Sequence, residues 1–374
     1  MRGALRSGGG RKARHFLAAA VALLAVCLPL AGCSPAAPRD DAGPDAVRIA
    51  TTTPPLADWA RQVAGPDAVV TCILPPGSNA HTFEPSPREM RSVAEARVLL
   101  RVGLQLDEWG KSLADANRGI HTVALGDELR SRNLLPDVTT ITAAAVSIAT
   151  SDSPAGDDHA GHDHAADTAT TGAAGDVEHD HAHDDDHDHA TCSGHAHDGT
   201  DPHFWLDPLV ARECVRLIAD HLAAAYPARA AEFRANAARY GDELKALDGE
   251  IREALAGAPR RDFATFHNAF AYYASRYGLT IAAVIEEYPG KEPGDRYLKG
   301  VVGKLREAGI RRVFAEPQFS RRAAEIIARE IGGKVEILDP HGSPDVPERA
   351  NYLDLMRFNT RAIAGALSDT PAAP

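Results

Sequence analysis

Ten of the seventeen histidines in this chain of 374 residues fall in one short stretch. They are His159, His162, His164, His179, His181, His183, His187, His189, His195 and His197, spaced among aspartates. Neutral imidazole is a good ligand for zinc, copper and nickel, and nearby carboxylates raise the local cation concentration. From Ser151 to Thr200 there is no Lys or Arg, and Val177, with Ile148 nearby, is the only sizeable aliphatic. Such a segment buries too little apolar surface to order itself, so it reads as a mobile loop holding auxiliary, low-affinity metal ligands. The plainer alternative is a solvated acidic linker. The tract points to a divalent transition metal without saying what is done with it.

A second set of polar residues falls where strands end. His81 follows a strand predicted over Ala68–Leu74, through the turn Pro75-Pro76-Gly77-Ser78-Asn79. His203 stands in Asp201-Pro202-His203-Phe204-Trp205-Leu206-Asp207-Pro208, ahead of a long helical pattern. His267 closes a strand predicted over Asp262–Phe266, and Asp339 closes one over Lys334–Leu338. Open α/β sheets bind ligands beyond the carboxyl ends of their strands, and clefts between lobes are favoured places. Three imidazoles and a carboxylate would complete a tetrahedral zinc site there, two ligands from each lobe. Taken singly, each histidine also reads as a cap or a satisfied polar residue, because the spacing is too long for a local motif.

The elements that would position these residues alternate along the chain. Strands are predicted over Ala46–Thr51, Ala68–Leu74, Val98–Val102 and His121–Leu125, with helices over Leu56–Ala64, Pro87–Ala96 and Leu106–Ala116. Two long helical patterns follow, Pro208–Tyr226 and Pro227–Leu255, the second unusually long for a globular helix. Alternation then resumes with strands Asp262–Phe266, Leu279–Ile285, Arg312–Ala315 and Lys334–Leu338. The intervening helices are Asn268–Tyr277, Arg296–Ala308 and Ser320–Ile331, and a last one runs near Arg349–Ala366. The class is therefore α/β: two Rossmann-like α/β lobes with parallel sheets, joined by one long rigid helix. The expected organisation is a signal peptide at 1–32, a lipidated cysteine and tether at 33–45, and an N-terminal lobe at 46–226 carrying the loop at about 151–200. A linking helix at 227–257 and a C-terminal lobe at 258–374 complete it.

The N-terminus predicts an extracytoplasmic location. Arg2, Arg6, Arg11, Lys12 and Arg14 precede an apolar run from Phe16 to Leu30, short for a membrane span and right for a signal-peptide core. Leu30-Ala31-Gly32-Cys33 resembles the bacterial lipoprotein cleavage box, which would leave Cys33 to carry lipid and hold the domain at a membrane. The net charge is −12; residues 151–200 supply thirteen acids and no bases and the leader supplies five bases, so the rest carries about −4. No basic stripe suggests nucleic acid. Cys72, Cys192 and Cys214 lack CxxC spacing, and no disulfide is assignable. There is no HExxH helix, nucleophile elbow or defined carboxylate pair, which argues against an enzyme.

Six segments then make a resemblance specific. Thr51-Thr52-Thr53-Pro54-Pro55-Leu56, His81-Thr82-Phe83-Glu84-Pro85-Ser86-Pro87, the Asp201–Pro208 run, Phe266-His267-Asn268-Ala269-Phe270, Phe314-Ala315-Glu316-Pro317-Gln318-Phe319 and Leu338-Asp339-Pro340 span nearly the whole mature chain. In order and kind they resemble the solute-binding lipoproteins of metal-importing ABC transporters, the cluster that includes the ZnuA-like zinc-uptake proteins. The resemblance implies two lobes bridged by a rigid helix, a monomer, an ABC permease as partner, and metal ligands at His81, His203, His267 and Asp339. His267 stands where manganese-type members tend to carry Glu, so the resemblance implies Zn2+ as cargo ahead of Mn2+. Some zinc members place an acid just before the first histidine; Ala80 stands there instead, which favours Asp339 as fourth ligand, with water as the fallback. His341 is an extra imidazole where the family usually has an apolar residue. Glu316 is expected to orient a ligand imidazole, Trp205 to seal the site from water, and Glu84 to make a helix-entrance contact. A metal buffer or surface adhesin using the histidine tract alone is the remaining alternative.

Overall fold

A computed structural model describes residues 46–141 and 200–369. The leader, Cys33, the tether and the tract from His159 to His197 lie outside the described residues. In the N-terminal lobe, strands β1 (Arg48–Thr51), β2 (Val69–Cys72), β3 (Val98–Arg101) and β4 (His121–Ala124) form one parallel sheet in the order β2-β1-β3-β4. Thr51 sits opposite both Cys72 and Leu100, so β2, β1 and β3 end level with one another. Helices α1 (Pro54–Ala64), α2 (Pro87–Ser92), α3 (Gly110–Ala116) and α4 (Leu125–Ser131) follow these strands. Pro54 opens α1 where a missing N–H costs nothing, and Ser86 with Glu89 forms a capping box on α2. Glu84 is exposed and takes no part in that cap.

Helix α5 (Pro208–Ala225) and helix α6 (Ala230–Ala256) come next, with a single 3-10 turn over Pro227–Arg229 between them. At 27 residues α6 is about 40 Å long. Its buried stripe is Phe233, Ala237, Tyr240, Leu244, Leu247, Ile251 and Leu255, a helical repeat that presents one apolar face along its whole length. That face packs on α1 and α5 and on the last helix of the chain, so one rigid element serves both lobes.

The C-terminal lobe pairs β5 (Asp262–Thr265) with β6 (Thr280–Val284), and β7 (Arg312–Ala315) with β8 (Lys334–Ile337), all parallel. The two ladders abut through β5 and β7. Helices α7 (Ala271–Tyr277), α8 (Asp295–Glu307), α9 (Arg322–Glu330) and α10 (Tyr352–Leu367) complete it. Buried polar contacts tie the lobes: Asp207 caps α5 through Leu209 N–H at 2.8 Å while its other oxygen pairs with Arg276 of α7 at 2.6 Å. Tyr352 donates its N–H to Asp58 of α1 at 3.1 Å. Among the described residues no helix is long and apolar enough to cross a membrane.

Every predicted strand forms, mostly shortened by a residue or two at its ends. Helix α4 has no counterpart in the sequence prediction, and Gly126 stands in its first turn. In the fold a Cβ there would stand 2.8 Å from Leu104 and from Phe204, so only glycine lets α4 approach so closely.

Candidate metal centre

The imidazoles of His81, His203 and His267 meet, with one nitrogen of each within 4.8 Å of the others. His203 Nε2 stands 3.2 Å from His81 Nε2 and 3.2 Å from His267 Nε2. His81 is carried on the loop after β2, where Asn79 Oδ1 accepts its backbone N–H at 2.9 Å and Trp109 Nε1 donates to Ala80 O at 2.9 Å. His203 precedes the 3-10 turn Phe204–Leu206 that leads into α5. His267 lies just beyond β5. Two histidines thus come from one lobe and the third from the other, beyond strand ends in both.

Two of the rings are wired by buried carboxylates. His203 donates Nδ1–H to Asp201 Oδ1 at 2.8 Å, and His267 donates Nδ1–H to Glu316 Oε1 at 2.7 Å. A carboxylate accepts only, so each hydrogen bond fixes the tautomer and turns a bare Nε2 toward the cluster. Glu316 also accepts from His267 N at 3.1 Å and from Gln318 Nε2 at 2.7 Å. Tyr272, reaching across from α7, donates its hydroxyl to Asp201 O at 3.0 Å. Burial pulls the His267 pKa down, but the charge and hydrogen bond of Glu316, with Asp201 and Glu286 further off, outweigh it and hold the pKa above the usual imidazole value. Glu286 is buried at the end of β6 and is pushed up by that burial, against the hydrogen bond from Gly290 N–H. Its neighbour Glu287 is half-buried.

Asp339 is buried but does not join the three imidazoles. Its Oδ1 accepts from His341 N and Gly342 N, both at 2.9 Å, and its Oδ2 pairs with Arg349 Nη1 at 3.0 Å. Gly342 has φ +76°, a conformation only glycine adopts without strain, and this turn delivers both amides to the carboxylate. Asp339, His341 and Arg349 line a cavity of about 220 Å³ with Leu74, Gly77 and Gln318. His341 stacks on Trp205 with ring centroids 5.4 Å apart, and burial together with the facing His203 and His267 pushes its pKa down to about 3. Trp205 is fully buried beside His203, its Nε1 donating across the cleft to Pro340 O at 2.7 Å. Tyr272, Tyr273 and Tyr277 are packing residues of the core. Sequence reasoning gave Asp201 no role; its signal was the Asp-Pro-His spacing, since Asp201 Oδ1 also accepts from His203 N at 2.8 Å.

Two α/β lobes with parallel sheets, a long shared helix and imidazoles converging in the cleft define the class of two-lobe solute-binding proteins. A sequence model described as "Zinc-uptake complex component A periplasmic" matches residues 49–366, and the chain belongs to this ZnuA family. Among curated relatives, the zinc-binding protein AdcA of Streptococcus pyogenes serotype M3 is 28% identical over 324 residues, covering 85% of this chain and 55% of its own. The zinc-binding lipoprotein AdcA of Streptococcus pneumoniae serotype 4 is 28% identical over 323 residues with the same coverage. The chain thus spans about 55% of the length of these relatives. A solved ZnuA deletion mutant (138-173) with zinc bound superposes with TM-score 0.62 at 25% identity, covering 87% of this chain and 100% of that one. The Zn(II)-bound ZnuA-like domain of S. pneumoniae AdcA gives 0.59 at 24%, with 87% and 100% covered, a likeness of fold.

Proposed function

We propose that this chain is the extracytoplasmic zinc-capturing component of an ABC-type importer, taking Zn2+ in the inter-lobe cleft and delivering it to a membrane permease. The observation that carries this reading is the convergence of three Nε2 atoms, two of them aimed by buried carboxylates. Nitrogen-rich sites suit zinc, whereas manganese prefers carboxylate and carbonyl oxygen. Relatives named for zinc binding and zinc uptake support the same cargo. His81, His203 and His267 are assigned as the protein ligands. Asp339 would have to leave Arg349 and two amides to reach the ion, so the fourth position is assigned to water. Three protein ligands and a water leave the zinc an exchangeable position, so membership of an uptake family is what argues against hydrolysis.

The remaining assignments follow the sequence. Residues 1–32 serve as signal peptide, Cys33 carries lipid that anchors the chain to the membrane, and the histidines from His159 to His197 collect zinc at weaker sites. The chain acts as a monomer without nucleic acid. Calorimetry tests the centre: His81→Ala, His203→Ala and His267→Ala should each lose the tight zinc site while weaker binding by the tract remains. Each loss should exceed the roughly 10–100-fold that removing an outer partner costs. Unchanged tight binding in all three variants, or manganese binding as tightly as zinc, would overturn the assignment.

A further inference from the structure

A second pair of imidazoles meets at the other end of the N-terminal sheet. His121 opens β4 at its amino end, and His221 lies on α5, thirteen residues or about 20 Å beyond Pro208. His121 Nε2 is 3.0 Å from His221 Nδ1, with ring centroids 5.2 Å apart. On its far side His221 donates Nε2–H to Glu128 Oε2 of α4 at 2.8 Å. Because that proton is committed to the carboxylate, Nδ1 of His221 is a lone pair aimed at His121. This is the wiring of His203 by Asp201 and of His267 by Glu316, repeated away from the cleft.

We propose that His121 and His221, with Glu128 behind His221, form a second and open site for a divalent transition metal of the zinc, copper and nickel class. Zinc bonds of 2.0–2.1 Å at a tetrahedral angle put two nitrogens about 3.4 Å apart, so the rings need part by only ~0.4 Å. Each comes from a different element, and a small tilt of the His121 ring supplies that movement. His121 is exposed, and the side chains of His221 and Glu128 are 25% and 18% exposed, which leaves water free to fill the other positions. Partial desolvation of its ring, then the neighbouring His221, lowers the His121 pKa against the pull of Glu128, so its nitrogen is available at neutral pH. Arg132, paired with the other oxygen of Glu128, opposes the cation and makes this site weaker than the cleft. The proposal does not depend on the cleft assignment.

The test uses the full chain and zinc chloride, supplied in excess over its seventeen histidines. Acylation of imidazoles by diethyl pyrocarbonate, mapped by peptide mass spectrometry, reads each histidine separately. Zinc is expected to protect His121 and His221 together, at concentrations above those that protect His203. His121→Ala should abolish protection of His221, His221→Ala that of His121, and Glu128→Gln should raise the zinc needed by roughly 10–100-fold. Anomalous scattering from zinc-soaked crystals should place an ion between the two rings. Acylation of both rings unaffected by zinc would overturn the proposal, leaving the trio as a hydrogen-bonded staple. Protection of His221 that persists in His121→Ala would overturn it equally.

Discussion

Replacing Glu316 by glutamine isolates what its charge does for the centre. Glu316 is 1% exposed and holds His267 by Nδ1–H at 2.7 Å and by the backbone N–H at 3.1 Å. Glutamine keeps the shape and can accept both hydrogen bonds through its amide oxygen. Gln318, half-buried, has only to turn its own amide oxygen toward the new NH2 group, so the fold survives. What disappears is the negative charge that makes His267 a better electron donor. Lost partners of this kind cost about 10–100-fold in metal affinity, or roughly 1.4–2.7 kcal/mol. Zinc competition against a chelator of known affinity, with a thermal melt alongside, measures this. The pH profile supplies a second reading. Glu316 holds the His267 pKa up, so protons compete with zinc from a higher pH than an ordinary imidazole would allow. In Glu316→Gln that pKa falls, and affinity should decline less between neutral and mildly acidic pH than in the parent. A lower melting temperature with unchanged affinity and an unchanged pH profile would refute the reasoning and make Glu316 a packing residue.

Asp339→Asn should lower thermal stability, because it sets an amide NH2 against half-buried Arg349, yet change zinc affinity less than about tenfold. A loss as large as that of His203→Ala in the same calorimetric titration would put Asp339 on the metal. Deleting residues 151–200 should leave one tight zinc per chain and a folded protein while total stoichiometry falls; unchanged stoichiometry would make those histidines bystanders.

The parts of the fold that were legible are those with strong local signals. Val98–Leu100 and Val313–Ala315 are continuous apolar runs of the kind that parallel strands need, and the face from Phe233 to Leu255 carries a plain helical repeat. His81 and His267 stood out through their place beyond strand ends, and His203 through the resemblance carried by its Asp201–Pro208 run. The surroundings of Asp339 were not, because Arg349 reaches it from a loop ten residues on, and no periodicity reports that loop's path. His121 and His221 lie one hundred residues apart, and only the packing of α5 beside β4 joins them. Gly126 shows the same limit in reverse: a residue that argues against a helix locally is required by the neighbours it packs on.

The spacing of the three rings also sets the charge balance of loading. His203 Nε2 lies 3.2 Å from both other Nε2 atoms, and the Nδ1 protons of His203 and His267 are already given to Asp201 and Glu316. Zinc needs all three Nε2 lone pairs, so any proton that sits on one of them must leave when the ion enters. The raised pKa of His267 favours such a proton, and each proton that leaves cuts by one the two positive charges that zinc brings. The heat of binding should consequently differ between buffers of different ionisation enthalpy in proportion to the protons released. A heat independent of buffer would mean that the rings stand unprotonated. Returning protons to these nitrogens would release the ion without parting the lobes, which Trp205 and Asp207 hold together.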